Sequence, residues 1–318
     1  MASILVTGAG GFIGRRVVAA ANHAGHHVIP MARQSPSGVV RNVIQHDLTM
    51  PIGKSLRLPP VDWIFHLAGA YAGAGYEELQ RADLSIARNL MDWGVAAGVK
   101  NWVFASAAEV YGVVRGIAGE SAPVQPVIPY GRVKLIIERL LIERTKGISN
   151  RRVVILRIGE VYGSEGRLIA ELKARLRRGF CPWPGNGHVP VSFVHVDDVA
   201  QAFLCAMGRA SPGVSICNVA DDVPATWHDF LIAMAERLNA RSPAFLPAPL
   251  IRLYAMGSAL AAQMMRREPI LTRQALRLIT TPKPIANARL KQTLAFQPRY
   301  RSYFEGLEEA LLGLPHHP

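Results

Sequence analysis

Apolar residues in the first half of this chain come in short blocks, and most blocks are followed by a helical repeat. Ile4-Leu-Val6 is unbroken, and Phe12, Val17 and Val18 then recur at helical spacing, which predicts a strand passing at once into a helix. His27–Arg33 and Val39–Gln45 predict a second and a third strand, and Val61–Gly69 a fourth, apolar throughout its centre. Tyr76–Ala97 carries a long helical pattern closed by Gly98, Asn101–Ser106 a fifth strand, Pro129–Lys146 another helix and Arg152–Ile158 a sixth strand. Strands alternating with helices at this rhythm imply parallel pairing through right-handed crossovers, hence a doubly wound α/β sheet.

From Gly163 the rhythm loosens. Pro182-Trp-Pro-Gly-Asn-Gly187 predicts a loop, Val189–Val194 a strand, Val196–Met207 a helix, Ser215–Val219 a short strand and Ala225–Leu238 a helix. Pro243–Met265 is unusually apolar, and helical patterns at Thr272–Leu278, Ala288–Leu294 and Tyr303–Leu312 follow. The pattern divides into a nucleotide-binding region, residues 1–162 plus 189–220, and a smaller, mainly helical substrate-binding or lid region, residues 163–188 plus 221–318.

The turn between the first strand and helix, Ser3-Ile-Leu-Val-Thr-Gly-Ala-Gly-Gly-Phe-Ile-Gly14, carries the first chemistry. Glycines bring the backbone within contact distance of a pyrophosphate, and a helix N-terminus offers free N–H groups and a positive dipole end. The spacing G-x-G-x-x-G fails from Gly8, since its third glycine falls on Ile13; Gly8-x-x-Gly11-x-x-Gly14 fits. At the end of the second strand, where an NAD-binding chain usually places a carboxylate for the ribose 2′-hydroxyl, stand Ala32 and Arg33. A carboxylate would repel a 2′-phosphate and a guanidinium attracts one, so NADP(H) is the expected cofactor, with NAD(H) as the alternative.

Composition narrows the setting. The 318 residues, half of them hydrophobic, suffice for a large α/β core. Cys181, Cys205 and Cys217 have no metal-like spacing and fit a reducing, cytoplasmic compartment. The chain opens on a core strand rather than a leader, and no apolar run reaches membrane-spanning length. The net charge of +13 is dispersed, with local groups at Lys173–Arg178, Arg266–Arg267 and Arg299–Arg301. No nucleic-acid motif accompanies it, so it reads as a solvated basic surface that attracts an anionic cofactor, with weak attraction to anionic surfaces.

Tyr130-Gly-Arg-Val-Lys134 opens a helix, and a four-residue spacing puts Tyr130 and Lys134 on one face. A neighbouring ammonium stabilises a phenolate; bringing a phenol from about pKa 10 to about 7 corresponds to roughly 4 kcal/mol. Such a tyrosine exchanges a proton with a carbonyl oxygen while a nicotinamide exchanges the hydride.

With these residues in order, the chain resembles the extended short-chain dehydrogenase/reductase family, which includes NAD(P)-dependent epimerases and dehydratases and 3β-hydroxysteroid dehydrogenase-like members. The resemblance rests on Thr7–Gly14, His46-Asp-Leu48, His66-Leu-Ala-Gly69, Ser106-Ala-Ala-Glu-Val-Tyr-Gly112, Tyr130-x-x-x-Lys134, Arg157–Gly163, Phe193–Asp198 and the closing Leu294–Pro298 with Glu305-Gly-Leu307. It implies a Rossmann-type sheet with a smaller C-terminal substrate domain. It also implies that Phe12 and Ile13 flank the pyrophosphate, Asp47 and Leu48 the adenine, and Leu67, Ala68 and Gly69 the nicotinamide side. Tyr130 would be the acid/base, Lys134 would hold the nicotinamide ribose, and a homodimer would form on the helices over Tyr76–Ala97 and Tyr130–Lys146.

The departures from the family pattern concern the substrate. The family's catalytic Ser or Thr falls on Ala107; Ser106 is adjacent, but neighbours in a strand face opposite ways, so Ser106 substitutes only if the strand end twists or bulges. Glu109 matches a dehydratase base, whereas Ala108 replaces that base's neighbouring Asp. Glu160 stands for a usual Asn, Val191 for a phosphate-binding Arg and Asp83 for an Asn near the cofactor; the first two disfavour a pyrophosphate-bearing substrate. Asp198 is expected to cap a helix. The resulting expectation is an NAD(P)-dependent oxidoreductase acting on a hydroxyl or ketone carbon of a relatively apolar small molecule. Its alternatives are a sugar or sugar-nucleotide epimerase or dehydratase with retained cofactor, and a non-catalytic NADP(H) sensor.

Overall fold

The computed structural model describes residues 1–34, 40–53, 56–69, 76–264 and 273–313. Arg266, Arg267 and the start of the expected third strand at Val39 lie outside these residues. The first half runs β1 (Ser3–Thr7), α1 (Phe12–His23), β2 (His27–Ala32), β3 (Ile44–Gln45), β4 (Trp63–His66), α2 (Tyr76–Ala96), β5 (Asn101–Ala107), α3 (Pro129–Thr145) and β6 (Arg152–Ile158). The second half runs β7 (Glu160–Tyr162), α4 (Arg167–Arg177), β8 (Pro182–Pro184), β9 (Pro190–Val191), β10 (Phe193–His195), α5 (Val196–Arg209), β11 (Gly213–Val219), β12 (Ala225–Thr226) and α6 (Trp227–Arg237). It ends with β13 (Ala244–Leu246), α7 (Ala248–Met264), α8 (Arg273–Thr280), α9 (Ala288–Leu294) and α10 (Tyr303–Leu312). Among the described residues no helix is long and apolar enough to cross a membrane.

Seven strands form one parallel sheet in the order β11-β6-β5-β4-β1-β2-β3. Strand order reverses between β1 and β4, and the crevice at such a reversal is where doubly wound sheets bind ligands. Alternation along the strands feeds two cores. Ile4, Val6, Phe65, Val103 and Ala105 pack with α1 and α5, while Leu5, Ile64, Trp102 and Phe104 pack with α2 and α3. Both faces are covered, which is why these strands read as continuous apolar runs.

Several elements differ from the sequence pattern. The third strand shrinks to two residues paired with β2. Pro182–Pro184, expected as loop, is a strand: it pairs in parallel with β13, and Trp183 is buried against Trp227 at a ring separation of 5.0 Å. Two prolines hid it, because proline is tolerated in so short a strand with a single partner. Val189–Val194 splits into β9 and β10, and Ala225 and Thr226 form β12 before α6 starts.

A separate aromatic core forms where Trp183, Trp227, Phe230 and Leu307 of the smaller region meet Tyr162 and Phe193, which the sequence division assigns to the nucleotide-binding region. The same division placed all of 221–318 in the smaller region, yet Leu290, Leu294 and Phe296, in and just after α9, return to the core beneath α5. The two regions are joined by side chains. His195 Nε2 lies 2.7 Å from Glu309 Oε2, and the Asp198 carboxylate accepts from the backbone N–H groups of Arg299 and Tyr300. The expected capping role therefore moves: His195 is the N-cap of α5, accepting from Asp197 N–H, while Asp198 holds the C-terminal segment.

Candidate active site

The carboxyl ends of β1, β4 and β5 converge on the strand-order reversal. At β1, Gly8 adopts φ +69°, and a side chain on Gly14 would lie 2.1 Å from the Gly8 carbonyl oxygen, so the turn closes only around glycine. No side chain caps α1 at Gly11, which leaves the N–H groups of Phe12 and Ile13 for an anion. The ring of Phe12 lies against Gly163 and Gly166, bracing the turn from behind. A Cβ on Gly8 would also meet the Ala68 backbone nitrogen at 2.8 Å, so β4 closes on the turn. Thr7 Oγ1 accepts from the N–H groups of Leu67 and Ala68 and lies 3.1 Å from His66 Nδ1. The cradle fits a dinucleotide pyrophosphate.

On the side expected to take the adenine, Arg33 follows β2 and Asp47 follows β3, and the Arg33 charge acts on the Asp47 carboxyl. Asp47 accepts from Thr49 N–H and Oγ1, which together with Arg33 hold its carboxyl below the ordinary range. Leu48 is buried, and its carbonyl accepts from Asn89 of α2.

Helix α3 carries the candidate acid/base pair. It begins with Pro129 at its first turn, and Tyr130 and Lys134 follow on one face. Lys134 is buried, its Nζ 5.4 Å from the Tyr130 ring centroid and 5.1 Å from that of Phe104. Burial lowers its pKa, and the carboxylates of Asp83, Glu109 and Glu138 oppose that. The expected lowering of the Tyr130 phenol is not found: burial, then the negative charges of Glu109, Asp83 and Glu160, push it well above its ordinary value. The ammonium faces the ring, while carboxylates surround the phenol. His66, stacked on Phe104, is kept neutral, its pKa pulled down to about 3 by burial and by Lys134.

Ser106 does not take over for Ala107. The β5–β6 register runs unbroken through Ser106 opposite Arg157 and Ala107 opposite Ile158, so no bulge turns the serine. Its hydroxyl donates to Glu138 Oε1 at 2.5 Å, and Glu138 is paired with Arg157 through bonds of 3.0 and 2.7 Å. All three are buried. Their network ties α3 to β5 and β6 two turns beyond Tyr130 and makes Ser106 part of the mounting of that helix.

The substrate-side positions meet around a residue that sequence reasoning missed. Lys283, 2 % exposed, bonds Glu109 Oε1 and lies 3.0 Å from Glu160 Oε2. Glu109 is thus an ion-paired carboxylate rather than a free base. Val191 is fully buried and bridges the Lys283 backbone. The one sequence signal for Lys283 was its place between Pro282 and Pro284, which marks a short rigid extended stretch.

The sequence profile of the NAD dependent epimerase/dehydratase family matches residues 4–220. A 3-diazoavenalumate denitrifying reductase from Streptomyces is 27 % identical, the match covering 96 % of this chain and 98 % of the relative. A 2-alkyl-3-oxoalkanoate reductase from Stenotrophomonas maltophilia is 28 % identical over 68 % of each. Among solved structures, MoeE5 in complex with UDP-glucuronic acid and NAD superposes with a TM-score of 0.78 at 26 % identity, covering 96 % of this chain and 97 % of that one.

Proposed function

Since this chain belongs to the NAD-dependent epimerase/dehydratase family, we propose that it is a reductase of the extended short-chain type acting at a ketone, or in reverse at a hydroxyl carbon, of a relatively apolar small molecule. The observation that carries this is the pairing of Tyr130 and Lys134 on one face of α3, beside the cradle at Gly8, Gly11 and Gly14. The nicotinamide, when bound, supplies or accepts the hydride. Tyr130, protonated at neutral pH, is the group that would give its proton to a carbonyl oxygen as general acid, although burial and carboxylate charge make it a weaker acid than a free phenol. Lys134 holds the nicotinamide ribose and faces the phenol ring, limiting the charge penalty when the proton leaves. Leu67, Ala68 and Gly69 line the nicotinamide side. Neither Ala107 nor Ser106 offers the hydroxyl usual in this family, and Tyr130 polarises the carbonyl without it.

NADP(H) is the preferred cofactor in this reading, because Arg33 follows β2 where Ala32 replaces a carboxylate. The reading extends to a cytoplasmic homodimer built on α2 and α3, on whose outer side Ile136 is 37 % exposed. Epimerase or dehydratase chemistry with a retained cofactor is the second reading, favoured by the solved relatives that bear sugar nucleotides. The ion pair on Glu109 and the alanine at 108 weaken it.

The test is spectrophotometric. Purified protein should consume NADPH with ketones at a rate that falls at least about a hundredfold in Tyr130→Phe, the usual size of a general acid's contribution. Nicotinamide retained through purification with no net turnover would overturn the reductase reading in favour of the epimerase.

A further inference from the structure

Three charged side chains, from three separated parts of the chain, meet beside Tyr130. Glu109 sits on the short helical turn after β5, Glu160 opens β7, and Lys283 arrives from the segment after α8. That segment is fixed on both sides. Lys283 N–H donates to the Pro190 carbonyl, and Ile285 exchanges bonds with the Ser192 hydroxyl. On the other side Val114 N–H donates to the Pro282 carbonyl and Ala118 N–H to that of Pro284. The lysine thus stands alongside Val191 on a backbone hydrogen-bonded on both sides.

Charge counting makes the cluster more than a staple. Within the trio, two carboxylates against one ammonium leave one negative charge in surplus, with Lys134 of α3 and Asp83 of α2 as the next charges that act on the same site. The lysine takes Glu109 Oε1 and Glu160 Oε2 only, leaving the second oxygen of each carboxylate to other partners. These side chains stay 11 % and 19 % exposed, against 2 % for the lysine, so the carboxylates are the part of the cluster a ligand can reach. The charges of both act on the Tyr130 phenol, and Glu109 itself lies against Gly131, the next residue of α3, where a Cβ would meet its carbonyl oxygen at 2.3 Å.

We propose that Glu109 and Glu160, held by the positioning residue Lys283, form an acceptor site for a hydroxyl or amine donor carried close to the reacting carbonyl, and that the same site rejects substrates bearing an anion there. This rests on the reductase reading and adds the polar half of its substrate: apolar overall, with one hydrogen-bond donor beside the ketone. A carboxylate acceptor gains a charge-assisted hydrogen bond from such a donor and repels phosphate or carboxylate.

The experiment uses the full chain loaded with NADPH and reads quenching of the nicotinamide fluorescence. The probes are three medium-chain ketones that differ only in the group beside the carbonyl: hydroxyl, methoxy or carboxylate. The hydroxy ketone should bind about tenfold more tightly than the methoxy compound, and the carboxylate most weakly, as expected for a charged acceptor that needs a donor. Glu160→Gln, which removes the surplus charge but keeps the lysine, should narrow the hydroxyl-over-carboxylate ratio about tenfold. Lys283→Arg should keep the ratio, while Lys283→Met should lose it, because the two carboxylates then lack the ammonium that holds them in place.

Equal binding of the three probes, a preference for the carboxylate, no binding of any of them, or an unchanged ratio in Glu160→Gln would each overturn the proposal. If Lys283→Met does not fold, the Arg and Gln variants still decide it. Binding with the predicted preference but without oxidation of NADPH would sink the reductase reading and leave the acceptor site standing.

Discussion

The pair Ser106 and Ala107 shows how one strand position decides a residue's chemistry. A hydroxyl one place along the strand is directed to the other face, and here it serves Glu138 and Arg157. Ser106→Ala should lower stability by about 2 kcal/mol in denaturant unfolding, the net worth of a buried hydrogen bond to a charged group, and leave the turnover number within about threefold of the wild type. A much larger loss of turnover would return Ser106 to the catalytic group. In the proposed reading Arg33 carries the cofactor preference. Arg33→Asp should shift the ratio of NADPH to NADH affinity toward NADH by about tenfold or more, through lost attraction for the 2′-phosphate and a new acceptor for the 2′-hydroxyl. An unchanged ratio in titrations of the two cofactors would refute the cofactor assignment.

Helix α3 is the element on which the proposed chemistry is mounted. Its apolar residues face α2 and the sheet, its Glu138 is locked by Arg157, and its start is pressed against the turn that carries Glu109. Gly131 permits that approach, for a Cβ there would lie 2.3 Å from the Glu109 carbonyl oxygen. Ala is otherwise the better helix former by about 1 kcal/mol, so a stabilising change would be expected on an exposed helix. At this position Gly131→Ala should instead lower both the melting temperature and the turnover number, since Tyr130 moves with the displaced helix. Thermal unfolding and steady-state kinetics on the one variant check both. A melting temperature at or above wild type would show that the turn yields without cost.

Across the whole molecule, the two regions meet over buried ionisable groups. Asp221 is 3 % exposed at the end of β11; burial, with Asp198 adding to it, raises its carboxyl well above 3.8. The folded chain therefore holds a proton that the unfolded chain has released, so this group favours folding less as pH rises from the ordinary carboxylate range toward its raised folded value. Asp221→Asn should raise the melting temperature at pH 7 and flatten its dependence on pH between about 4 and 7, as followed by thermal melts across that range. A variant with the same slope as wild type would show that Asp221 is charged and compensated in the fold.

The sequence by itself determined the alternating strands and helices, the glycine turn, the Tyr130–Lys134 face and the family pattern, because each is a local property of spacing and conformation. Arg152–Ile158, Ala288–Leu294 and Tyr303–Leu312 match their elements end to end. Pro182–Pro184 became a strand only because β13, about sixty residues later, lies against it. Tertiary structure also decided the charge around the site. Spacing predicted that Lys134 would lower the Tyr130 phenol, but burial and carboxylates from three other elements outweigh it, and no local pattern encodes a sum of distant fields. Lys283 is the clearest case. One lysine between two prolines is unremarkable along the chain, and it takes on meaning only where the fold sets its ammonium between Glu109 and Glu160.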